Sequence, residues 1–488
     1  MVYILQSLSR FIIILLMLLY TISSFSYFTK KYIEDERAVL RRQTVYMYLM
    51  HFLAFVVLYL RREDIRFLTF YAAQVVMITA TLLLYNIVYP KLSKLVLNNM
   101  CMMLVIGLII QSRLNISDAY RQFLFMAVGI GFGLFVPVIV RKIKRLADIR
   151  WFYAIIGIAG LAIVLAFAPE TLGARRFIRI MEGVTIQPSE FAKITYVFFI
   201  AASLKYSTAF KNIFITSLVA GIHVILLILS PDLGQSLILV VTLVVMLYVS
   251  TRNPLYPLGG LFAGAGFSVL AYKMFTHLQV RVANWRSPFP LTNSSHQLVM
   301  SLFAIGTGSW FGMGLDQGMP LTIPVVAEDY IFSAIAEELG MIFALCFILI
   351  CISCYVMFLN VAMEIRNPFY KMIALGLGTS YITQVFLTIG GVTGFIPHTG
   401  VTLPLISLGG SSLLSMLIVF GVIQGLYIVR EDEVDELEKR RLDAIEEDKR
   451  MKRRKQGNYE EVERVPRSRK GKNRKKGSFE EVPKQRVR

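Results

Sequence analysis

Apolar residues dominate this chain in long runs, and the polar residues are gathered into the gaps between them. A membrane-crossing helix needs about 20 largely apolar residues. Thirteen runs approach that length, at 11–28, 44–60, 67–89, 96–112, 122–140, 151–167, 191–206, 213–230, 235–250, 258–275, 330–360, 372–395 and 408–429. The pattern predicts an all-α polytopic membrane protein. Only one basic residue, Arg10, precedes the first run, and no small-residue cleavage site follows before Lys30 and Lys31, so it reads as a span and not as a signal peptide.

Short loops that keep Lys and Arg face the cytoplasm. The densest is Arg141, Lys142, Lys144, Arg145 and Arg150; counting alternately from it puts Lys30–Arg42, Lys91–Lys94, Lys205–Lys211, Arg252, Arg366–Lys371 and everything after Arg430 on the same side. The N-terminus is then external and the C-terminus cytoplasmic. Two external segments run against the rule: Arg61, Arg62 and Arg66, which read as side chains snorkelling to the interface, and Arg175, Arg176 and Arg179.

Composition agrees with the bilayer. The 488 residues are 56% hydrophobic and 17% charged, where a soluble domain has about 45–50% and about 25%. Four cysteines exclude a disulfide scaffold, and Cys101, Cys346, Cys351 and Cys354 all lie in apolar runs, where they read as small apolar residues in membrane helices. The formal charge of +19 is concentrated at the end of the chain. Residues 431–450 mix acids and bases at helical spacing, and 451–488 are strongly basic with almost no apolar content. Such a segment cannot bury enough surface to fold alone and is expected to be a disordered cytoplasmic tail that can contact anionic lipid headgroups. No aromatic-rich module accompanies it, so no nucleic-acid partner is expected.

Polar residues at membrane depth are the candidates for chemistry. Four segments on the external side, 168–190, 230–235, 276–329 and 395–408, are too polar or too rich in Gly and Pro to be plain turns, and they could converge on one mouth. Gln187-Pro188-Ser189-Glu190 opens a span, and Lys193 lies one turn after Glu190, so the two can pair as a helix-start ion pair or face a polar cavity. The nearby arginines suit phosphate oxygens, whether of a pyrophosphate or of lipid headgroups. Asp329 falls where the 330–360 span begins; on a continuous helix Glu337 would share its side and Glu338 would point away. These carboxylates read equally as a helix cap with structural ion pairs. His398 is a lone histidine in a Gly- and Pro-rich stretch that suggests re-entrant backbone. Gly306–Gly314 is glycine-rich but follows no strand, so it is not a nucleotide loop.

Together these strings resemble the SEDS family, the RodA/FtsW/SpoVE group of bacterial cell-wall polymerases. The resemblance rests on Arg121-Gln122, GARRF at 173–177, QPSEFAK at 187–193, PDLGQS at 231–236, AIGTGSWFGMGL at 304–315, EDYIFSAIAEELG at 328–340 and GFIPHTGVTLPLISLGGSS at 394–412, in family order. It implies a ten-helix core over 95–430, preceded by an N-terminal extension of about three transmembrane helices in 1–94 and followed by the tail from 431. It also implies a peptidoglycan glycosyltransferase in the bacterial cytoplasmic membrane that polymerises lipid II at the outer face, for elongation, division or sporulation. Asp329 matches the family's catalytic aspartate, as general base or as holder of a divalent cation (Mg or Mn). Substrate contacts are expected at Arg176, Lys193, Arg281, Glu190, Gln187, Gln297, Glu337, His398 and Ser411, the first three stabilising the undecaprenyl pyrophosphate leaving group. The implied partner is a class B penicillin-binding protein, a transpeptidase. The chain departs from the family at Phe177, His296, Met300, Arg286-Ser-Pro-Phe and Thr388, which bears on substrate contacts and not on Asp329. A lipid II flippase, using the same cavity for transport, and a non-catalytic division scaffold are the alternatives.

Overall fold

A computed structural model describes residues 2–169, 176–181, 184–289 and 295–462. The elements run α1 (Val2–Tyr27), α2 (Ile33–Arg62), α3 (Ile65–Val88), α4 (Lys94–Leu114), α5 (Ile116–Lys142), α6 (Arg150–Phe167), β1 (Ile178–Met181), β2 (Val184–Ile186), α7 (Pro188–Tyr206), α8 (Phe210–Leu229), α9 (Leu233–Thr251), α10 (Leu255–Met274), α11 (Thr276–Arg286), α12 (His296–Gly308), α13 (Ile331–Glu364), α14 (Pro368–Val392) and α15 (Gly410–Val462). Among the described residues, twelve helices are long and apolar enough to cross a membrane. The thirteenth expected span is α7, a 19-residue helix carrying Glu190, Lys193 and Lys205. It is largely surrounded by protein, so lipid does not dictate its composition.

Short connections are closed by side-chain caps. Asp64 accepts from the Arg66 amide, Asn115 from Ser117 and Asn367 from Phe369, each satisfying an amide that helix geometry leaves unpaired. The two long polar segments carry structure of their own: β1 and β2 form an antiparallel hairpin, and α11 and α12 precede α13.

Helix α4 is the centre of the bundle, with every residue from Leu95 to Leu114 buried. It is enclosed by α2, α3, α5, α13 and α15. At the other extreme, α10 rests on α9 and α11 and buries only Ala271. The first two helices are sewn to α4 and α13 by a buried polar seam: Tyr20 Oη donates to Asn99 (3.0 Å), Gln43 to Ser24 (2.8 Å), Asn98 to Gln43 (3.3 Å) and Asn99 to Ser353 (3.2 Å). Paired polar groups of this kind fix helix contacts where lipid offers no hydrogen bonds.

Loops alternate between two ends of the bundle. At one end Lys91 and Arg141 meet Asp432, and the Arg366 amide meets Glu433, so the root of the charged C-terminal segment is tied to three loops. Helix α15 continues through this segment to Val462, so 431–462 is helical, with 431–452 mostly exposed; the basic residues 463–488 lie outside the described part. At the opposite end Arg62 pairs with Asp316 and Arg113 with Glu338. Arg62 thus has an ion-pair partner 254 residues away, and Arg66 pairs with Asp64. The snorkelling expected of these two arginines gives way to ion pairing. All four cysteines are buried and unpaired.

Candidate active site

The end of the bundle that carries the 168–190, 230–235, 276–329 and 395–408 segments gathers four of the expected site residues. Asp329 precedes α13 and does not ride on it. Its backbone is bent by Val325 (φ 60°) and held by the Val325 carbonyl at 3.2 Å. The Ala327 carbonyl accepts from the Leu408 amide (2.8 Å) and from Gln111 Nε2 (3.0 Å), and Ser407 Oγ donates to the Glu328 carbonyl. The carboxylate is therefore mounted between α4 and the segment that leads into α15.

His398 stands with Nε2 3.7 Å from Asp329 Oδ2, its ring stacked on Tyr330 at 4.5 Å. Arg281 Nη1 donates to the carbonyls of His398 (3.3 Å) and Thr399 (3.1 Å). Arg176 donates to the carbonyls of Gly400 and Pro231, both at 3.3 Å, and its Nε lies 4.0 Å from Asp232 Oδ1. Gly400 is the hub: a Cβ there would lie 3.2 Å from Arg176 Nη1, 3.5 Å from Asp329 Oδ2 and 3.6 Å from Arg281 Nη2, and its φ of 67° suits glycine. One carboxylate and two guanidiniums face a single point.

Burial alone pushes the Asp329 carboxyl up; contact with His398, then the charges of His398, Arg176 and Arg281, pull it down further, so it lies below its ordinary value. The side chain keeps 29% exposure, which leaves it ionised and reachable. The neighbouring Glu328 carboxyl moves the other way, raised by burial and then by the charge of Asp329. Arg281 is lowered by burial and then by Arg176.

A second group lies buried in α7 and its neighbours. Glu190 accepts from Lys193 Nζ (2.6 Å), Gln235 Nε2 (2.6 Å) and Ser415 Oγ (3.0 Å), and Lys193 donates also to Gln384 Oε1 (2.7 Å). Lys193 is 1% exposed. In the interior each of these two charges faces the other, and the remaining partners are neutral: the amides of Gln235 and Gln384 and the hydroxyl of Ser415. Gln187 caps this layer. Its amide donates to Ser411 Oγ (3.0 Å) and its side chain to Asp232 Oδ2 (3.2 Å), so Gln187 and Ser411 act on the frame of the site.

Glu337 is also redirected. Because Asp329 precedes the helix, their helical spacing does not align them; Glu337 Oε1 accepts from the Met319 amide at 2.7 Å. That amide belongs to a strap, residues 309–325, laid against a break in α13 at Gly340 (φ 85°). The strap amides of Met313 and Gly314 bond the carbonyls of Glu337 and Glu338, both at 2.9 Å. Gln297 sits half-buried in the first turn of α12, beside residues 290–294, which are outside the described part, as is Arg175. Arg179 is exposed on β1. Asp232, Gln235, Gln384 and Gly400 were not singled out as site residues. The Asp in PDLGQS, an acid in the apolar mouth of a span, was the available signal for the first. Thr388, at a family asparagine position, bonds the Val401 carbonyl (2.9 Å) and braces the same segment.

Among the described residues no three His, Cys, Asp or Glu side chains cluster as metal ligands. Asp329 and His398 alone could supply two, beside two guanidiniums that repel a dication. The chain's own residues fit an anion better than a divalent cation.

Fold and site define a polytopic membrane protein with a cation-lined carboxylate at one end of its bundle. A profile of the cell-cycle protein family FtsW/RodA/SpoVE matches residues 89–431. The chain belongs to that family. It is 33% identical over 345 residues to the peptidoglycan glycosyltransferase RodA of Mycobacterium leprae (strain TN), covering 65% of this chain and 74% of that one. Over 318 residues it is 32% identical to stage V sporulation protein E of Bacillus subtilis (strain 168), covering 62% and 85%. Among solved structures it resembles a chain of a peptidoglycan synthase complex that coordinates polymerization and crosslinking (TM-score 0.58, 23% identity, 70% of this chain and 98% of that one). It also resembles the rod shape determining protein RodA of Thermus thermophilus (TM-score 0.51, 21% identity, 70% and 97%). At these identities the structural likeness is one of fold.

Proposed function

We propose that this chain is a peptidoglycan glycosyltransferase that polymerises lipid II at the outer face of the bacterial cytoplasmic membrane, with Asp329 as general base. The carboxylate takes the proton of the acceptor sugar 4-hydroxyl as that oxygen attacks the anomeric carbon of the donor. The bond to undecaprenyl pyrophosphate breaks, and Arg176 and Arg281 hold the departing charge. The observation that carries this reading is the convergence of Asp329, Arg176 and Arg281 on Gly400. Lys193 and Glu190 support the site from beneath. His398 orients Asp329, Gln297 borders the sugar path, and Ser411 holds the frame through the Gln187 amide.

The orientation follows from charge. Lys91, Arg141 and Arg366 share the end that carries the tail, which supports a reading with that end in the cytoplasm, the N-terminus outside and Asp329 at the outer face. Residues 1–94 form an added unit on the core of 95–430, and the tail from 431 meets anionic lipid. A class B penicillin-binding protein crosslinks the strands that this chain makes.

The test is polymerisation of lipid II by the purified protein with its partner. The unmutated protein makes glycan strands; Asp329→Asn makes none while keeping its thermal midpoint, and Arg176→Gln loses most of the rate. Polymerisation by Asp329→Asn at the unmutated rate would overturn the base role. Movement of labelled headgroups across vesicles without polymer would make the chain a flippase.

A further inference from the structure

The added helices end on the strap. Arg62, in the last turn of α2, grips Asp316 with both arms: Nε to Oδ2 at 2.8 Å and Nη2 to Oδ1 at 2.7 Å. Arg61 Nη2 reaches the Asp316 carbonyl at 3.4 Å, and Arg10 of α1 donates to the Gly312 carbonyl at 3.3 Å. From the other side Arg113 of α4 lies 3.3 Å from Asp316 Oδ1, bonds Glu338, and donates to the Gly318 carbonyl at 2.8 Å. The Asp316 amide closes the ring on Glu338 Oε2 at 3.2 Å.

Arg62 and Arg113 contact the two carboxylates directly, and Arg61 stands at the Asp316 carbonyl. Glu338 is 1% exposed and Asp316 9%, so removing Arg62 takes the two-armed partner from a carboxylate that water screens poorly. Asp316 also has φ 63°, a conformation a non-glycine residue keeps only when its surroundings hold it. The last turn of α4 then transmits the position of this ring. Arg113 holds Gly318, and Gln111, two residues earlier, holds Ala327; Asp329 is two residues beyond.

We propose that Arg62 is a positioning residue for the reaction: it locks the strap that leads into Asp329, so the N-terminal extension is a brace for the site. Its position explains why basic residues stand at the end of the bundle that the charge rule assigns to the outside: they neutralise a ring of buried acids. The inference rests on the reading of Asp329 as base, and its test separates the two.

In the full-length protein with its partner, Arg62→Gln lowers kcat for lipid II polymerisation about tenfold with KM within about twofold, the signature of a misplaced reacting group. Arg62→Lys, a point charge without the fork, recovers part of the rate. Asp316→Asn shows a similar loss, and the double variant loses no more than Asp316→Asn alone. Arg66→Gln, at a residue that pairs with the loop residue Asp64 and not with the strap among the described residues, leaves kcat unchanged. Hydrogen exchange of the strap amides speeds up in Arg62→Gln while that of α4 does not. Unchanged kcat in Arg62→Gln, or full additivity with Asp316→Asn, overturns the brace. If Asp329→Asn retains activity, the base reading fails instead, and strap exchange alone decides the brace: equal exchange in Arg62→Gln and the unmutated protein refutes it.

Discussion

Lys193 decides between two uses of a membrane-depth cation. If it gripped the substrate pyrophosphate, Lys193→Met would fold normally and raise KM. The packing gives another outcome. Glu190 is 1% exposed, and its carboxylate has Lys193, Gln235 and Ser415 as donors. Lys193→Met leaves a buried carboxylate with neutral donors only, which costs about 3–5 kcal/mol for a buried pair broken on one side. The orphaned Gln384 Oε1 adds about 1 kcal/mol. Glu190→Gln strands the ammonium and has a similar cost. The double change Glu190→Gln with Lys193→Met removes both charges; the new amide oxygen accepts from Gln235 and its NH2 donates to the Ser415 hydroxyl, so the protein returns to within about 2 kcal/mol of the unmutated one, since replacing both partners of a buried pair is near neutral. Equilibrium unfolding in detergent across the four proteins measures the cycle. Single variants that each lose under about 1 kcal/mol, or a double variant that sums both losses, would refute the buried-pair reading and restore Lys193 to the substrate.

Three further outcomes follow from the geometry. The Asp329 carboxyl lies below its ordinary 3.8, so it stays the ionised base above that value and activity is lost only as pH falls through the lowered pKa. His398→Leu removes the contact that lowers it most, leaves Arg176 and Arg281 against burial, and moves the acid limb of kcat/KM to higher pH; a limb that stays put contradicts the assignment. Gly400→Ala sets a methyl 3.2 Å from Arg176 Nη1 at a φ of 67°; the backbone strain of about 1–2 kcal/mol displaces the guanidinium, and kcat/KM drops about tenfold at unchanged yield. Gly340→Ala puts Cβ 2.4 Å from the Gly312 amide nitrogen, at φ 85°; strain and overpacking of about 3 kcal/mol or more lower the thermal midpoint and the yield of folded protein.

The spans were legible because lipid imposes one rule on every residue that faces it, and twelve of the expected helices satisfy it. Their starts were less so. Helix α2 begins at Ile33, well before the apolar run at 44–60, because Glu34, Asp35 and Glu36 suit a helix start whatever their polarity. The Glu190–Lys193 contact was legible from spacing, since residues three apart on a helix are neighbours. Which way the pair faces was not, because that depends on Gln235, Gln384 and Ser415 from three other helices. The same limit hid the partner of Arg62. The alignment of Glu337 with Asp329 does not hold for a different reason: helical angles do not carry back across a residue that is not helical, onto an aspartate held by loop backbone.

The two charged groups at this end of the bundle differ in what they leave unsatisfied, and that difference separates frame from site. Around Lys193 both charges are matched. Among the described residues, three polar atoms around Gly400 are buried with no hydrogen-bond partner, Arg176 Nε, His398 Nδ1 and Thr399 Oγ1, against one neutral atom, Gln235 Oε1, around Lys193. A buried donor left unpaired costs about 1–3 kcal/mol, and proteins rarely keep several side by side. Arg176 and Arg281 spend their arms on backbone carbonyls of a Gly- and Pro-rich segment, weaker partners for a guanidinium than any phosphate oxygen. An incoming pyrophosphate gains charge-assisted bonds that the empty site lacks, whereas one offered to Lys193 must first break an ion pair. The discrimination between the two basic groups therefore needs no difference in their chemistry; it follows from which of them is already matched.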